Sequence, residues 1–176
     1  LSRDEPALKE AIETIAGLVD EMGFNEVMGE LSANRGRFKR MMNRHAGVNG
    51  LIAATRGALG LAGDETTQSL LGAASDSGGL DEDGLKGACQ ALYRGTDTDK
   101  IRASAIDDWL ADPESRVERF LDSYVNAFLT AKHEPRKRLM TKKAQDSDPA
   151  SMDVLLSEQA RVHAVMERLK SIAVAE

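Results

Sequence analysis

Basic residues that could bind phosphates are concentrated in two short segments of this chain. Residues 34–45 contain five lysines and arginines and no acidic residue, and residues 130–143 contain six against Glu134 alone. The net charge of the whole chain is −6, so the remaining residues are strongly acidic. Clustered cationic side chains bind a sugar–phosphate backbone and gain affinity by releasing its counterions. Both segments are therefore candidate nucleic-acid contacts.

The second segment holds the stronger candidates. They are Arg136, Lys137, Arg138, Lys142 and Lys143. All five fall within residues 129–147, the one stretch without helical periodicity, which we predict to be a basic loop or a short hairpin. Several side chains of such a segment could reach one phosphate backbone together. A solvated charged loop explains the composition equally well, and the residues alone do not separate the two interpretations.

The first segment offers Arg35, Arg37 and Arg40 as further candidates. It continues an apolar helical pattern, so we expect its basic residues to occupy one face of a helix. The solvated faces of helices commonly carry charge. For this segment we favour a solvated helix face over a phosphate-binding site.

The sequence offers no constellation for catalysis. No Gly-x-x-x-x-Gly-Lys-Ser/Thr loop is present to cradle nucleotide phosphates. His45, His133 and His163 are far apart, unlike the clustered ligands of a metal site. Cys89 lies in an apolar helical run, where a cysteine usually packs as a small hydrophobe. We therefore predict no catalytic residue, cofactor or metal here; a deep polar pocket with paired carboxylates would instead favour an independent small enzyme.

Helices must position the basic residues. Hydrophobic residues make up 41% of the chain but aromatic residues only 4%, so the core must consist of aliphatic side chains, which suits helices packed on helices. The apolar periodicity predicts an all-α fold, an irregular bundle of about seven or eight helices. Phe120, Tyr124 and Phe128 share one face with aliphatic neighbours, so we expect them in the core rather than exposed for stacking on bases.

Capping residues predict where the helices begin and end. The first helix should carry an apolar face from Leu8 to Met22 and end at Gly23, and the second should begin near Asn25, with a break near Asn34. The later start signals are Asp64, Asp81, Thr96 or Thr98, Asp112-Pro113 and Asp148-Pro149.

The remaining features concern the compartment and the extent of the chain. A single cysteine is consistent with a reducing compartment. No apolar run approaches the ~20 residues that span a bilayer, and no signal peptide is recognisable. We therefore expect a cytoplasmic protein without a membrane partner. The chain begins with Leu1 and ends without a helix stop signal, so we expect residues 1–176 to be a single helical domain cut from a longer protein.

Several short motifs, mostly in the last third of the chain, resemble the AddA family, the helicase–nuclease subunit of the bacterial AddAB complex and a relative of RecB and UvrD. They are Asn49-Gly50-Leu51, Ala58-Leu-Gly-Leu61, Asp64-Glu-Thr66, Tyr124-Val-Asn-Ala-Phe-Leu-Thr130, Pro135-Arg-Lys-Arg-Leu139, Thr141-Lys142-Lys143, Pro149 and Glu158-Gln-Ala-Arg-Val162. The chain departs from the family where it reads Lys132-His133-Glu134, because a glycine-containing turn is usual there.

The resemblance implies a place for the chain in a larger enzyme. It would be the helical insertion called 1B, a non-catalytic part of an ATP-dependent 3′→5′ DNA helicase and exonuclease that repairs double-strand breaks. ATP and magnesium would act elsewhere in that parent protein, which would be cytoplasmic and nucleoid-associated. The implied partners are DNA, the remaining helicase domains and an AddB-type subunit. The alternative is a helical interaction module that docks those domains or that subunit.

Overall fold

The computed structural model describes residues 20–175, apart from the side chain of Glu21. This part of the chain is helical, without a strand, which confirms the predicted all-α fold. The helices are α1 (Glu21–Ala33), α2 (Arg35–Arg44), α3 (Val48–Ala58), α4 (Thr67–Ser75), α5 (Glu82–Tyr93), α6 (Asp97–Ala111), α7 (residues 116–128), α8 (Lys142–Ser147) and α9 (Ala150–Ala175). Helix α7 contains a π-helical turn at Phe120–Tyr124.

The described helices belong to two compact units, which divide between Thr55 and Arg56. The first unit contains α1, α2 and most of α3, and neither α2 nor α3 has a buried residue. The second unit contains α4 to α9 and the main core. The single domain over residues 1–176 stays a prediction.

Side-chain caps fix the starts of four described helices, α1, α4, α5 and α6. Asp81 caps α5 by accepting a hydrogen bond from the Gly84 amide, and Thr96 begins α6 with a capping box that includes Asp99. Such caps satisfy amides that have no partner within the helix. The start signals at Asp81, Thr96 and Asp148-Pro149 are therefore confirmed, as is the break at Asn34.

Two predicted helix boundaries are wrong. The predicted stop at Gly23 lies in the first turn of α1, where its amide donates to the Asp20 carboxylate 2.8 Å away. The predicted cap at Asp64 is replaced by Thr66, which forms a reciprocal capping box with Ser69. The remainder of the predicted first helix lies outside the described residues.

Aromatic side chains of α6 and α7 form the centre of the core. The Trp109 ring stacks on the Tyr124 ring with centroids 3.8 Å apart, and Tyr124 meets Phe128 edge to face at 5.2 Å. Phe120, Tyr124 and Phe128 are fully buried, which confirms their predicted packing role. Each buried side chain of this size stabilises the fold by about 2–3 kcal/mol. Helices α5 and α9 cover the same core.

The segment between α7 and α9 is only partly the loop that the sequence predicts. Leu129 and Pro135 form an isolated antiparallel bridge around a tight turn, in which the His133 backbone has a positive φ of 60°. The last six residues differ from the prediction because they form helix α8. Leu139, Met140 and Ala144 are buried, so the segment is attached to the core at its middle and end.

No helix among residues 20–175 combines the length and the apolar character needed to cross a membrane.

Candidate nucleic-acid interface

The cations of the second segment face solvent. Lys137, Arg138, Lys142 and Lys143 are exposed, and Arg136 is half-buried. Within residues 20–175, no carboxylate lies within ion-pairing distance of any of these five side chains. Four of the five are therefore free to bind an external anion. Arg136 differs because its Nε donates to the Asn126 carbonyl 3.1 Å away.

Four of these five side chains, all except Lys143, line a groove of about 600 Å³. Its lining residues are Arg136, Lys137, Arg138, Leu139, Met140, Lys142, Gln145, Asp146, Pro149, Met152 and Leu156. The groove therefore combines one end of the basic turn, the helix α8 and the first turns of α9. Asp146 is its one carboxylate, against four cations.

A buried arginine attaches the basic segment to the core. The Nε of Arg102 donates to the Ala127 carbonyl at 2.8 Å, and its Nη1 donates to the Leu139 carbonyl. Burial, together with the nearby charge of Arg136, lowers the pKa of Arg102 below its usual range. An arginine stays protonated in proteins even so. Its hydrogen bonds hold Leu139 in place directly after the exposed Arg138.

The carboxylate of Asp99 holds the next residues of the segment. Its Oδ1 accepts from the Thr141 amide at 3.1 Å and its Oδ2 accepts from the Thr141 hydroxyl at 2.5 Å. Burial acts to raise the pKa of Asp99, but the hydrogen bonds from Thr141 and Thr96 outweigh it, and the pKa lies below its ordinary value. The ionised Asp99 thus fixes the start of α8 and with it Lys142 and Lys143.

Helix α9 holds the other end of the segment through Gln159. Its side-chain amide donates to the Phe128 carbonyl at 2.8 Å and to the Arg136 carbonyl at 3.0 Å. Next to it, Glu158 accepts from the Tyr124 hydroxyl at 2.6 Å and pairs with Arg161. The residues Glu158, Gln159 and Arg161 therefore have structural roles in the described fold.

These attachment residues have no direct indication in the sequence. Asp99, Arg102 and Gln159 occupy the buried faces of α6 and α9, at positions where helical periodicity calls for a hydrophobic residue. The sequence therefore indicates such a residue only as a charged or amide side chain on an otherwise apolar helix face. It could not identify the partners in residues 127–141 that these side chains bind, because those partners lie 23 or more residues away in the chain.

The cations of the first segment have a different setting. Arg35, Arg37 and Arg40 are exposed on α2, a helix without a buried residue. Arg37, Arg40 and Arg44 have the spacing that places side chains on one face, whereas Arg35 lies on another side. The predicted single basic face is therefore wrong for part of the segment. Phe38 and Met41 of the same helix are also exposed, at 41% and 36%.

Cys89, a side chain that could act as a nucleophile, has a structural role. Cys89 is buried, and burial together with the charge of Asp107 raises the pKa of its thiol. This confirms its predicted role as a packed hydrophobe.

Residues 20–175 contain no group of three or more histidine, cysteine, aspartate or glutamate side chains placed to hold a metal ion. The prediction that the chain itself lacks a catalytic site and a cofactor stays a prediction.

Comparison with known proteins identifies no relative. No family model, no curated protein and no solved structure matches this chain. The resemblance to the AddA family therefore stays a prediction.

Proposed function

We propose that this chain is a non-catalytic DNA-guiding module of a larger ATP-dependent helicase–nuclease of the AddA type. In this role the exposed cations of residues 136–143 contact phosphates and position the strand without reading its sequence. The ATP-driven motor, its magnesium and the nuclease lie elsewhere in the parent protein. Its partners are DNA, the other helicase domains and an AddB-type subunit.

One observation carries this proposal. Lys137, Arg138, Lys142 and Lys143 project from a segment that the core holds at three places, and none has an internal carboxylate partner among the described residues. Lysine and arginine side chains on a fixed backbone lose less conformational freedom on binding than those of a mobile loop. The arrangement therefore favours phosphate binding over a merely solvated loop.

Fluorescence anisotropy of the 176-residue chain with labelled DNA tests the proposal. Replacing Lys137, Arg138, Lys142 and Lys143 with Ala should abolish measurable binding at moderate salt. The matched control replaces Lys86, Lys100, Arg119 and Lys170 with Ala, because these cations already pair with carboxylates. It removes the same charge and should retain most of the affinity. Equal loss in both variants, or loss in neither, would contradict a phosphate site at this segment.

A second candidate function is supported by the first unit. Its helices expose Val27, Met28, Leu31, Val48 and Ile52, each at least 40% accessible. Val27 and Leu31, like Val48 and Ile52, lie one helical turn apart, and contiguous exposed apolar side chains of this kind are typical of protein-interaction surfaces. A helical module that docks other helicase domains or the partner subunit is the alternative, and both functions can coexist in one chain. Cross-linking from α1 and α3 in the parent protein would distinguish a docked surface from a free one.

A further inference from the structure

The groove beside the basic segment has two kinds of surface. Lys137, Arg138 and Lys142 line it and are exposed, whereas Met140 also lines it and is only 2% exposed. Pro149, which directly precedes α9, and Met152 and Leu156 of its first turns complete an apolar side. A pure phosphate contact needs cations alone, so this apolar side has no use in binding a duplex backbone.

We propose that the groove binds unpaired DNA, with phosphates on the cations and at least one base against the apolar side. This inference rests on the proposed function and names the form of DNA that the site takes. A paired and stacked duplex presents mainly phosphates and sugars to a surface groove, because its base faces are covered by neighbouring bases. An unpaired strand can turn a base face toward the protein.

The size and chemistry of the groove agree with such an occupant. A volume of about 600 Å³ lies in the range of pockets that enclose small organic ligands. Methionine, leucine and proline side chains are among those that contact unstacked bases in other DNA-binding proteins. Gln145 and Asp146 also line the groove and provide hydrogen-bonding groups of the kinds that bind base edges.

Charge complementarity favours a nucleic-acid strand over an apolar peptide. Four cations line the groove against the single carboxylate of Asp146. The exposed lysines have no carboxylate partner within the described residues. A hydrophobic peptide would leave these charges without partners, whereas a strand of phosphates provides one for each. The apolar side and the cations together match the two parts of a nucleotide.

Removal of bases from the ligand and of apolar groups from the groove tests this directly. The 176-residue chain is titrated with three labelled probes of equal phosphate number: an oligothymidylate, the same strand with abasic sites throughout, and a hairpin duplex. The groove variant is Met152→Gln with Leu156→Gln, at positions outside the fully buried core. A single-substitution control for the Leu156 change is Leu121→Gln, since Leu121 is similarly exposed, at 42% against 48% for Leu156, and does not line the groove.

The wild-type chain should bind the oligothymidylate about tenfold more tightly than the abasic strand, the usual effect of one base contact. The groove variant should lose that preference while its affinity for the duplex changes less than about twofold. The Leu121→Gln control should keep the preference. Circular dichroism establishes that each variant is folded.

The outcomes separate this inference from the proposed function. If the wild-type chain binds abasic and normal strands equally, or the preference survives in the groove variant, the base contact is wrong and the phosphate contact stands. If neutralising the four exposed cations changes the affinity for none of the three probes, the proposed function fails, and this inference fails with it.

Discussion

The two basic segments of this protein have similar charge but differ in how their backbones are held. The cations of α2 project from a helix without a buried residue, whereas those of residues 136–143 follow a backbone held by Arg102, Asp99 and Gln159. The second segment also borders a groove, and the first lines none of the described pockets. Both segments carry clustered cations, but among the described residues only those of the second lie on a backbone that is held by a core.

Among substitutions that break this attachment, one at Arg102 should reduce the stability of the fold most. Arg102→Ala removes hydrogen bonds to the Ala127 and Leu139 carbonyls and leaves both without this donor. Loss of a buried charged partner should lower the free energy of unfolding by about 3 kcal/mol. Urea denaturation measures this. Arg37→Ala on α2 is the contrasting change, and should alter stability by less than about 0.5 kcal/mol because that side chain is exposed. A similar cost for both would remove the distinction between the segments.

A smaller effect is expected at Gln159. Gln159→Leu keeps an apolar group of similar size but removes donors to the Phe128 and Arg136 carbonyls. The free energy of unfolding should fall by about 2 kcal/mol, since two hydrogen bonds are lost. Hydrogen exchange should show the Arg136 region opening more often, while α2 is unaffected. Unchanged exchange at Arg136 would mean that α9 does not hold the segment.

The third effect depends on pH. The pKa of Asp99 is depressed in the folded state, so its ionised form stabilises the fold above its unfolded pKa of about 3.9. That contribution is lost as the pH falls through the lower, folded pKa. Wild-type stability should therefore decrease more steeply below about pH 4 than that of Asp99→Asn. Parallel pH profiles of the two proteins would show that Asp99 does not hold Thr141 in its ionised form.

Sequence patterns were sufficient where local rules determine the structure. The caps at Asp81 and Thr96 and the aromatic face of α7 depend on neighbours a few residues away, and all three agree with prediction. The Thr66 cap was missed because Asp64 is an equally good cap two residues earlier. Both residue types satisfy helix amides, and only the path of the chain chooses between them.

The candidate site could be predicted only in part. Its cations are visible in the sequence as a cluster, but the exposure of Lys137 and the partial engagement of Arg136 depend on how the chain folds. The short helix α8 has only six residues, too few for a periodic pattern to indicate it. The apolar side of the groove comes from α9, whose Met152 and Leu156 could be placed beside the cations only once the fold was known.

The salt dependence of DNA binding distinguishes the roles of the two segments most directly. Each lost phosphate contact lowers the slope of log affinity against log salt by about 0.9 for duplex DNA. Replacing Lys137, Arg138, Lys142 and Lys143 with Ala should therefore reduce the slope by about 3.6. Replacing Arg35, Arg37, Arg40 and Arg44 with Ala should leave it nearly unchanged. Equal reductions, or a reduction confined to the α2 variant, would contradict the claim that the anchored segment is the DNA-binding site.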